Sequence, residues 1–245
     1  MEYFGEENRV HLSGRILTAP VFSHKTYGEV FYLMMLGAFR KSGCEDRIRL
    51  IVSERILGGR SPQEGDLVDL YGQIRTYNRE VNGKNHLEIN VFVRELYYWG
   101  EEHPDGVFNG YGSFSYCNEI SLEGFLCKVP VRRTSPLGRE ICDLMLAVNR
   151  QYNKSDYIPA IAWGRNAVYA ATLAVGEKIF AEGRLQSREA MTGSQRSEPP
   201  TKSPSEGWRG WSRQNQAGVT LCRIQIWMYH FKIRAIFYPE NVLLY

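Results

Sequence analysis

The sequence predicts an all-β protein that consists of two tandem copies of one small β-barrel. An internal repeat is the first indication. Segments 8–16 and 118–126 both read Asn-x-β-branched-x-Leu-x-Gly-x-aliphatic, at an offset of 110 residues. Segments that alternate with a period of two, separated by turn residues, are the second indication. A third is Gly183 inside an apolar strand pattern, which is typical of a bulge or a barrel corner.

Each copy is predicted to contain five strands. In the first copy the residues 78–86 connect the last two strands, and Asn82-Gly83 is a hairpin-turn signal within them. The predicted strands of the first copy are Val10–Leu17, Glu29–Arg40, Asp46–Val52, Asp66–Tyr77 and Leu87–Tyr97.

Each copy is predicted to have a short helix or helix-like connection, and in the second copy the residues of this helix can be assigned. Gly164 ends the third strand, and Arg165 to Leu173 is a helix-compatible run before the turn at Val175-Gly176. The predicted strands of the second copy are Glu119–Leu126, Arg139–Arg150, Tyr157–Trp163, Glu177–Arg188 and Val219–Phe237.

Composition places the domain boundaries. Residues 99–117 contain four glycines and a proline and are predicted to be a linker. Residues 1–98 then form an N-terminal domain and residues 118–245 a C-terminal domain. A long loop at 190–217, with a Ser/Pro/Arg-rich composition typical of disorder, interrupts the C-terminal domain.

Two motifs of the second copy carry a family resemblance. Tyr-Ile-Pro-x-x-x-Trp-Gly-Arg-Asn-Ala begins at Tyr157, and Val-Gly-x-x-Ile-x-x-x-Gly-Arg-Leu-Gln-x-Arg begins at Val175. With these spacings the chain resembles the bacterial single-stranded DNA-binding protein (SSB) family from about residue 118 to 188 and, with a gap, to the C-terminus. The resemblance implies an oligonucleotide-binding (OB) fold, a five-stranded Greek-key barrel. The first copy is interpreted as a second OB fold mainly through the repeat.

The resemblance also implies a binding site for single-stranded DNA, where bases stack on aromatic rings and cations contact phosphates. Ala190 stands where the family usually has an aromatic residue, so Trp208 and Trp211 in the following loop are candidate replacements. The implied stacking residues are Tyr152, Tyr157 and Trp163. The candidate phosphate-binding residues are Arg165, Arg184, Arg188, Arg132 and Arg133. Tyr77, Arg75 and Arg79 form a similar set in the first copy, beside Phe22, Tyr27 and Phe31.

Structural roles remain open for these residues. Trp163 and Tyr157 also suit the packing of a strand, and the arginines also suit a solvated surface. The loop tryptophans equally fit partner binding or disorder. Charge separates the two copies: residues 1–98 have 13 basic and 13 acidic residues, whereas residues 118–245 have 17 basic and 11 acidic residues. A polyanion is therefore expected to bind the second copy more strongly, and packing or dimer contact is as credible for the first.

Other functional classes lack their motifs. The sequence has no phosphate-binding Gly-x-x-x-x-Gly-Lys-Ser/Thr loop, no grouped histidines, and acidic pairs only at turns or ends. We expect no catalysis and no cofactor. The five cysteines have no Cys-x-x-Cys spacing, which favours reduced thiols in the cytoplasm over a metal site or a disulfide. No apolar run is long enough for a membrane span, and no signal peptide is recognised.

The predicted function is thus binding of single-stranded DNA in replication, recombination or repair, near the nucleoid. An OB-fold adaptor for replication proteins and an RNA-binding protein are the alternatives. Because SSB-family proteins commonly combine four OB folds, a homodimer is expected. The apolar end of the chain lacks the acidic tail of many family members, so any docking of replication or repair proteins is expected at the 194–216 loop or the linker.

Overall fold

The computed structural model describes residues 8–40, 42–81, 83–101, 114–150, 154–189 and 222–231. For residues 81, 84, 188, 189 and 222–231 the description is confined to the backbone. The first barrel contains β1 (Asn8–Ile16), β2 (Val21–Thr26), β3 (Glu29–Phe39), β4 (Glu45–Ser53), α1 (Glu54–Leu57), β5 (Leu67–Val81) and β6 (Lys84–Tyr98). The second contains β7 (Asn118–Leu126), β8 (Val131–Thr134), β9 (Glu140–Arg150), β10 (Lys154–Trp163), α2 (Arg165–Ala170), β11 (Lys178–Glu189) and β12 (Cys222–Phe231).

The twelve strands of the described residues belong to one continuous sheet, in the order β2-β3-β4-β6-β5-β1-β7-β11-β12-β10-β9-β8. Two further pairings, of β1 with β3 and of β7 with β9, close the two halves into barrels. The prediction of two tandem OB folds is confirmed. In the part of the chain that the structure describes, no helix is long and apolar enough to cross a membrane.

The predicted secondary-structure elements need three corrections. The connection predicted at 78–86 is wrong, because β5 and β6 pair as far as Val81 and Lys84 and the chain reverses between them at the predicted Asn-Gly turn. The short strands β2 and β8 were not predicted. Both are exposed along their whole length, so they lack the alternation of apolar and polar residues that marks a half-buried strand. The helix predicted at 165–173 ends at Ala170, whereas the short helix or helix-like connection predicted in the first barrel is α1.

The repeated glycines stand where the barrels close. A Cβ atom on Gly14 would lie 2.4 Å from the carbonyl oxygen of Gly37, and one on Gly124 would lie 2.7 Å from that of Ala147. Each glycine therefore permits the close approach of two strands across the closure. The predicted bulge at Gly183 is confirmed by the register shift between Glu182 and Gly183.

The repeated asparagines hold the strand that follows the short helix of each barrel. Asn8 Nδ2 donates to the Ile74 carbonyl, and the Ile74 amide donates to Asn8 Oδ1, both at 2.8 Å. Asn118 makes the same two bonds to Leu185 at the same distances. The asparagine conserved between the two copies is therefore a structural residue that satisfies a backbone donor and acceptor next to each bulge.

The two barrels are joined by antiparallel pairing of β1 with β7. Val10 lies opposite Ile120, which is its own equivalent in the repeat, and Asn8 and Leu12 lie opposite Leu122 and Asn118. A register that pairs equivalent positions has the symmetry of an isologous dimer interface. The two copies are therefore related by a pseudo-two-fold axis that passes through this junction.

The same symmetry appears in two buried Asp–Arg clusters between the barrels. Asp46 of β4 and Asp156 of β10 are both fully buried. Asp46 pairs with Arg40 and accepts the Ser187 amide of the other barrel at 2.8 Å. Asp156 pairs with Arg150 and accepts the Thr76 amide of the first barrel at 2.6 Å. In each barrel, one buried carboxylate thus accepts a hydrogen bond from a backbone amide of the other barrel.

Candidate nucleic-acid interface

The outer face of the second barrel displays the aromatic residues of the family motif. Along β10 the even-numbered side chains, such as Ile158 and Ala160, point into the core, and the odd-numbered ones point outward. Tyr157 and Trp163 are both odd-numbered, so they share the outer face. Tyr157 is 54% exposed and Trp163 is partly exposed. The predicted stacking residues therefore present accessible rings on one surface.

Strand register separates the two neighbouring arginines of β8. Arg133 lies opposite Ile141, and Trp163 lies opposite the same Ile141 from the other side. Arg133 therefore belongs to the outer row that contains Trp163, whereas Arg132 lies opposite Cys142, which points into the core. Arg133 contacts Asp143 and Arg132 contacts Glu140, both at the surface. Sequence alone placed both arginines in the site, and the structure assigns only Arg133 to the face of the rings.

A second row on this face contains Arg184. Ile161 of β10 and Arg184 of β11 both lie opposite Trp227 of β12. Trp227 was missed at the sequence level, because its position beside the motif depends on the parallel pairing of β10 with β12. An aromatic residue inside an alternating strand was the only signal available. The backbone register puts residue 227 between the aromatic row and the predicted Arg184.

The outer face of the first barrel carries a different combination of aromatic and basic residues. His24 stacks on Phe31 with 4.9 Å between ring centroids, and Phe31 contacts Phe92 at 5.7 Å. The exposed Arg94 lies 5.3 Å over the Phe92 ring. Phe92 lies opposite Ile51 in the same parallel pairing that places Trp227 opposite Ile161. In backbone register, Phe92 of the first barrel is therefore equivalent to residue 227 of the second.

Basic residues occupy the β4 positions that are equivalent to the β10 motif. Arg47 and Arg49 stand at the offset of 110 from Tyr157 and Pro159, and Arg47 is exposed. Arg49 contacts Glu88 at 2.7 Å, and the predicted Arg79 contacts the same carboxylate at 3.4 Å. The first barrel thus has an arginine, Arg47, at the position where the second barrel has the aromatic ring of Tyr157. Its zero net charge concealed this local concentration of arginines.

The remaining predicted residues of the first barrel are held by neighbours. Tyr77 is 44% exposed and donates its hydroxyl hydrogen bond to Glu88. Burial, followed by this hydrogen bond, raises the pKa of Tyr77. Arg75 contacts the buried Asp156 at 3.2 Å and also donates to Gln73. Burial lowers the pKa of Arg75, which lies at the contact between the barrels. Tyr77 and Arg79 border the outer face, and Arg75 supports it from the interface.

Arg165 and Arg188 complete the described part of the predicted site. Arg165 is exposed at the first position of α2, directly after the outer row ends at Trp163. Arg188 lies in β11 opposite Arg223 of β12. Several predicted features lie outside the described residues: Tyr152, Ala190, Trp208, Trp211, residues 102–113 of the predicted linker, the loop predicted at 190–217, and residues 232–245.

Together the fold and this face define a tandem OB-fold protein with a row of rings and arginines on the outside of each barrel. Residues 117–201 match the model of the single-strand binding protein family. The chain is 26% identical over 239 residues to the single-stranded DNA-binding protein of Thermus thermophilus, covering 86% of this chain and 91% of that protein. It is 34% identical over 88 residues to that of Clostridium tetani, covering 32% of this chain and 61% of that protein.

Solved structures agree on the architecture. A deletion mutant of the single-stranded DNA binding protein from Thermus aquaticus matches with a TM-score of 0.64 at 19% identity, over 96% of this chain and 98% of that one. The wild-type protein from the same organism matches with a TM-score of 0.58 at 24% identity, over 82% and 96%. The second barrel thus resembles the single-strand binding protein family, and the whole chain has the two-OB-fold architecture of the Thermus aquaticus proteins.

Proposed function

We propose that this chain binds single-stranded DNA without strong sequence preference, along the outer faces of both barrels. The observation that carries the proposal is the shared face of Tyr157, Trp163 and Arg133, inside the segment that matches the family model. Stacking contributes about 1–3 kcal/mol per base and accepts any base, and arginines beside the rings neutralise phosphates. The match of residues 117–201 to the family model supports this function, and so does the naming of the similar proteins as single-stranded DNA-binding proteins.

The first barrel contributes the other half of the DNA-binding surface, and this half binds mainly through positive charge. Its exposed Arg94 lies over the Phe92 ring, and Arg47 is exposed on the neighbouring strand β4. Because β1 and β7 pair across the pseudo-two-fold axis, one strand of DNA can follow equivalent faces from one barrel to the next. We propose that rings dominate binding on the second barrel and that cations dominate on the first. Tyr152, Trp208, Trp211, Arg165, Arg184 and Arg188 stay proposed contacts.

A titration with fluorescein-labelled oligo-dT tests the function. Tyr157→Ala and Trp163→Ala should each weaken binding by about 1–3 kcal/mol, which is roughly 5- to 150-fold in affinity. Tyr157→Phe is the matched control, because it keeps the ring and should leave the affinity nearly unchanged. Absence of salt-sensitive binding to oligo-dT by the unaltered chain would refute the function and favour an adaptor for proteins. Tighter binding of oligo-rU than of oligo-dT would favour RNA.

We further propose that the chain performs no catalysis, acts in DNA replication, recombination or repair, and works in the cytoplasm beside the nucleoid. We propose that the chain consists of an N-terminal domain at 1–98, a linker at 99–117 and a C-terminal domain at 118–245. The end of β6 at Tyr98 and the start of β7 at Asn118 support these boundaries. Binding and protecting a polyanion needs no cofactor, so the proposal includes none.

A homodimer that presents four OB folds is also proposed. Apolar side chains are exposed on the two terminal strands of the sheet, including Phe22 at 63% and Val131 at 56%. Exposed sheet edges are commonly covered by another chain. Light scattering at micromolar concentration should give twice the 28.2 kDa mass of the chain. A strict monomer would contradict the dimer without affecting the DNA-binding proposal.

A further inference from the structure

The junction between the barrels contains a group of metal-binding side chains that the DNA-binding surface does not use. Ligand atoms of His11, Cys117 and Glu119 all lie within 4.8 Å of one another. His11 belongs to β1, Cys117 directly precedes β7, and Glu119 lies in β7. With Asp69, which contacts His11, these residues are called the His11 cluster below.

Strand geometry explains why these three residues meet. Cys117 and Glu119 are two positions apart, so an extended backbone directs both side chains to one side. His11 lies directly opposite Glu119 in the antiparallel pairing of β1 with β7. Side chains directly opposite each other in such a pair share a face. The cluster is therefore assembled from both barrels at their junction, and sequence spacing alone gave no indication of it.

The histidine is already oriented as a metal-binding histidine would be. Its Nδ1 atom lies 3.4 Å from Cys117 Sγ, close to the separation of two ligands around one tetrahedral ion. Its Nε2 atom contacts Asp69 Oδ1 at 2.8 Å, and Asp69 Oδ1 also accepts a 2.7 Å hydrogen bond from Ser13. Metal-bound histidines almost always direct their second ring nitrogen to such a carboxylate or carbonyl. The Tyr71 ring stacks on the imidazole at 4.4 Å and fixes its plane.

The internal repeat does not produce a second copy of the His11 cluster. At the offset of 110, the equivalents of His11 and Glu119 are Ser121 and Arg9, which lie opposite each other on the other side of the axis. Neither a hydroxyl nor a guanidinium is a usual ligand for a transition metal. Metal-binding residue types thus occur on one side of a junction whose backbone is symmetric. The site is also accessible, because an open cleft is lined by His11, Glu119 and Tyr71.

We propose that His11, Cys117 and Glu119 form a zinc site that ties the two barrels together. One thiolate, one imidazole and one carboxylate match the ligands of Zn²⁺, and three protein ligands leave the fourth position to water. Glu119 is exposed, so its side chain is free to adjust toward the ion. Asp69 would orient His11 from outside the coordination shell. The ion would connect β1 to the start of β7 and so stabilise the folded chain.

A zinc titration of the full chain, first freed of metal with a chelator and then monitored by competition with a chromogenic indicator, tests the site. We expect one Zn²⁺ per chain, bound tightly enough to compete, and a higher melting temperature with zinc than without. Cys117→Ser and His11→Gln should abolish both effects, and Asp69→Asn should weaken binding about 10- to 100-fold. Cys44→Ser is the matched thiol control, since Cys44 is an exposed free cysteine away from the junction, and should change nothing.

Cobalt supplies an independent readout. Co²⁺ in the site should show a thiolate-to-cobalt charge-transfer absorption that Cys117→Ser lacks and Cys44→Ser keeps. The proposal fails if the chain binds no zinc, or if Cys117→Ser and His11→Gln bind it as well as the unaltered protein. These measurements contain no DNA, so their failure would leave the proposed function untouched.

Discussion

Replacement of Asp156 by alanine tests whether the two barrels are held together by buried carboxylates. Asp156 is fully buried and contacts Arg150, Arg75 and the Thr76 amide. Breaking a buried ion pair by removing one partner costs about 3–5 kcal/mol. Arg150 and Arg75 keep 26% and 24% of their side chains exposed, so water can partly solvate them after the change. We therefore expect a loss of about 3 kcal/mol in the free energy of unfolding.

The neutral replacement Asp156→Asn should cost less than alanine. Its carboxamide oxygen can still accept the Thr76 amide hydrogen bond, which contributes about 1 kcal/mol. Asp143→Ala is the matched control, because Asp143 is a neighbouring carboxylate whose partner Arg133 is 46% exposed. An ion pair at that exposure contributes at most about 1 kcal/mol.

Urea unfolding, followed by tryptophan fluorescence and by circular dichroism, measures these differences. Thr76→Val in combination with Asp156→Asn tests the contact between barrels, since Thr76 Oγ1 donates to Asp156 at 3.1 Å. The two changes should be non-additive by more than about 0.5 kcal/mol. The reasoning is refuted if Asp156→Ala costs no more than Asp143→Ala, or if the double variant is additive.

Three further changes test the remaining features. Arg133→Met should lower the magnitude of the log–log salt slope of oligo-dT binding by about 0.7, the value for one phosphate contact on a single strand. Arg132→Met, on the opposite face, should leave the slope unchanged, and equal slopes for both variants would contradict the face assignment. Gly124→Ala should cost about 1–3 kcal/mol in urea unfolding, because its Cβ would lie 2.7 Å from the Ala147 oxygen; an unchanged midpoint would contradict the closure role. Asn118→Ala should cost about 1–3 kcal/mol in the same assay by leaving a buried amide and carbonyl of Leu185 unpaired, whereas Ser121→Ala on the same strand should have little effect.

The sequence by itself determined the fold class and the repeat. Alternation with a period of two marks strands that bury one face, and the glycines at 14, 124 and 183 mark places where a side chain would collide or a strand would bulge. These signals are local, so they are readable without the tertiary structure. The family motif at Tyr157 and Trp163 is likewise a local pattern, and it located the aromatic part of the proposed site.

Tertiary structure decided which of those residues share a surface. Arg132 and Arg133 are neighbours in the chain, yet pairing with β9 puts them on opposite faces. Arg49 and Arg79 of the first barrel are separated along the chain, so their meeting at Glu88 is visible only after β4 and β5 pair with β6. Strand pairing of this kind is non-local, because it depends on register between segments that periodicity alone cannot align.

The junction between the barrels shows the same division most clearly. The repeat predicted two equal copies, but it carried no information on how they pack. The symmetric register of Val10 with Ile120, the exchange of buried carboxylates at Asp46 and Asp156, and the meeting of His11 with Cys117 all depend on that packing. Each joins residues more than 75 positions apart in the chain. Such contacts depend on how the two barrels pack against each other, and that is why only the tertiary structure reveals them.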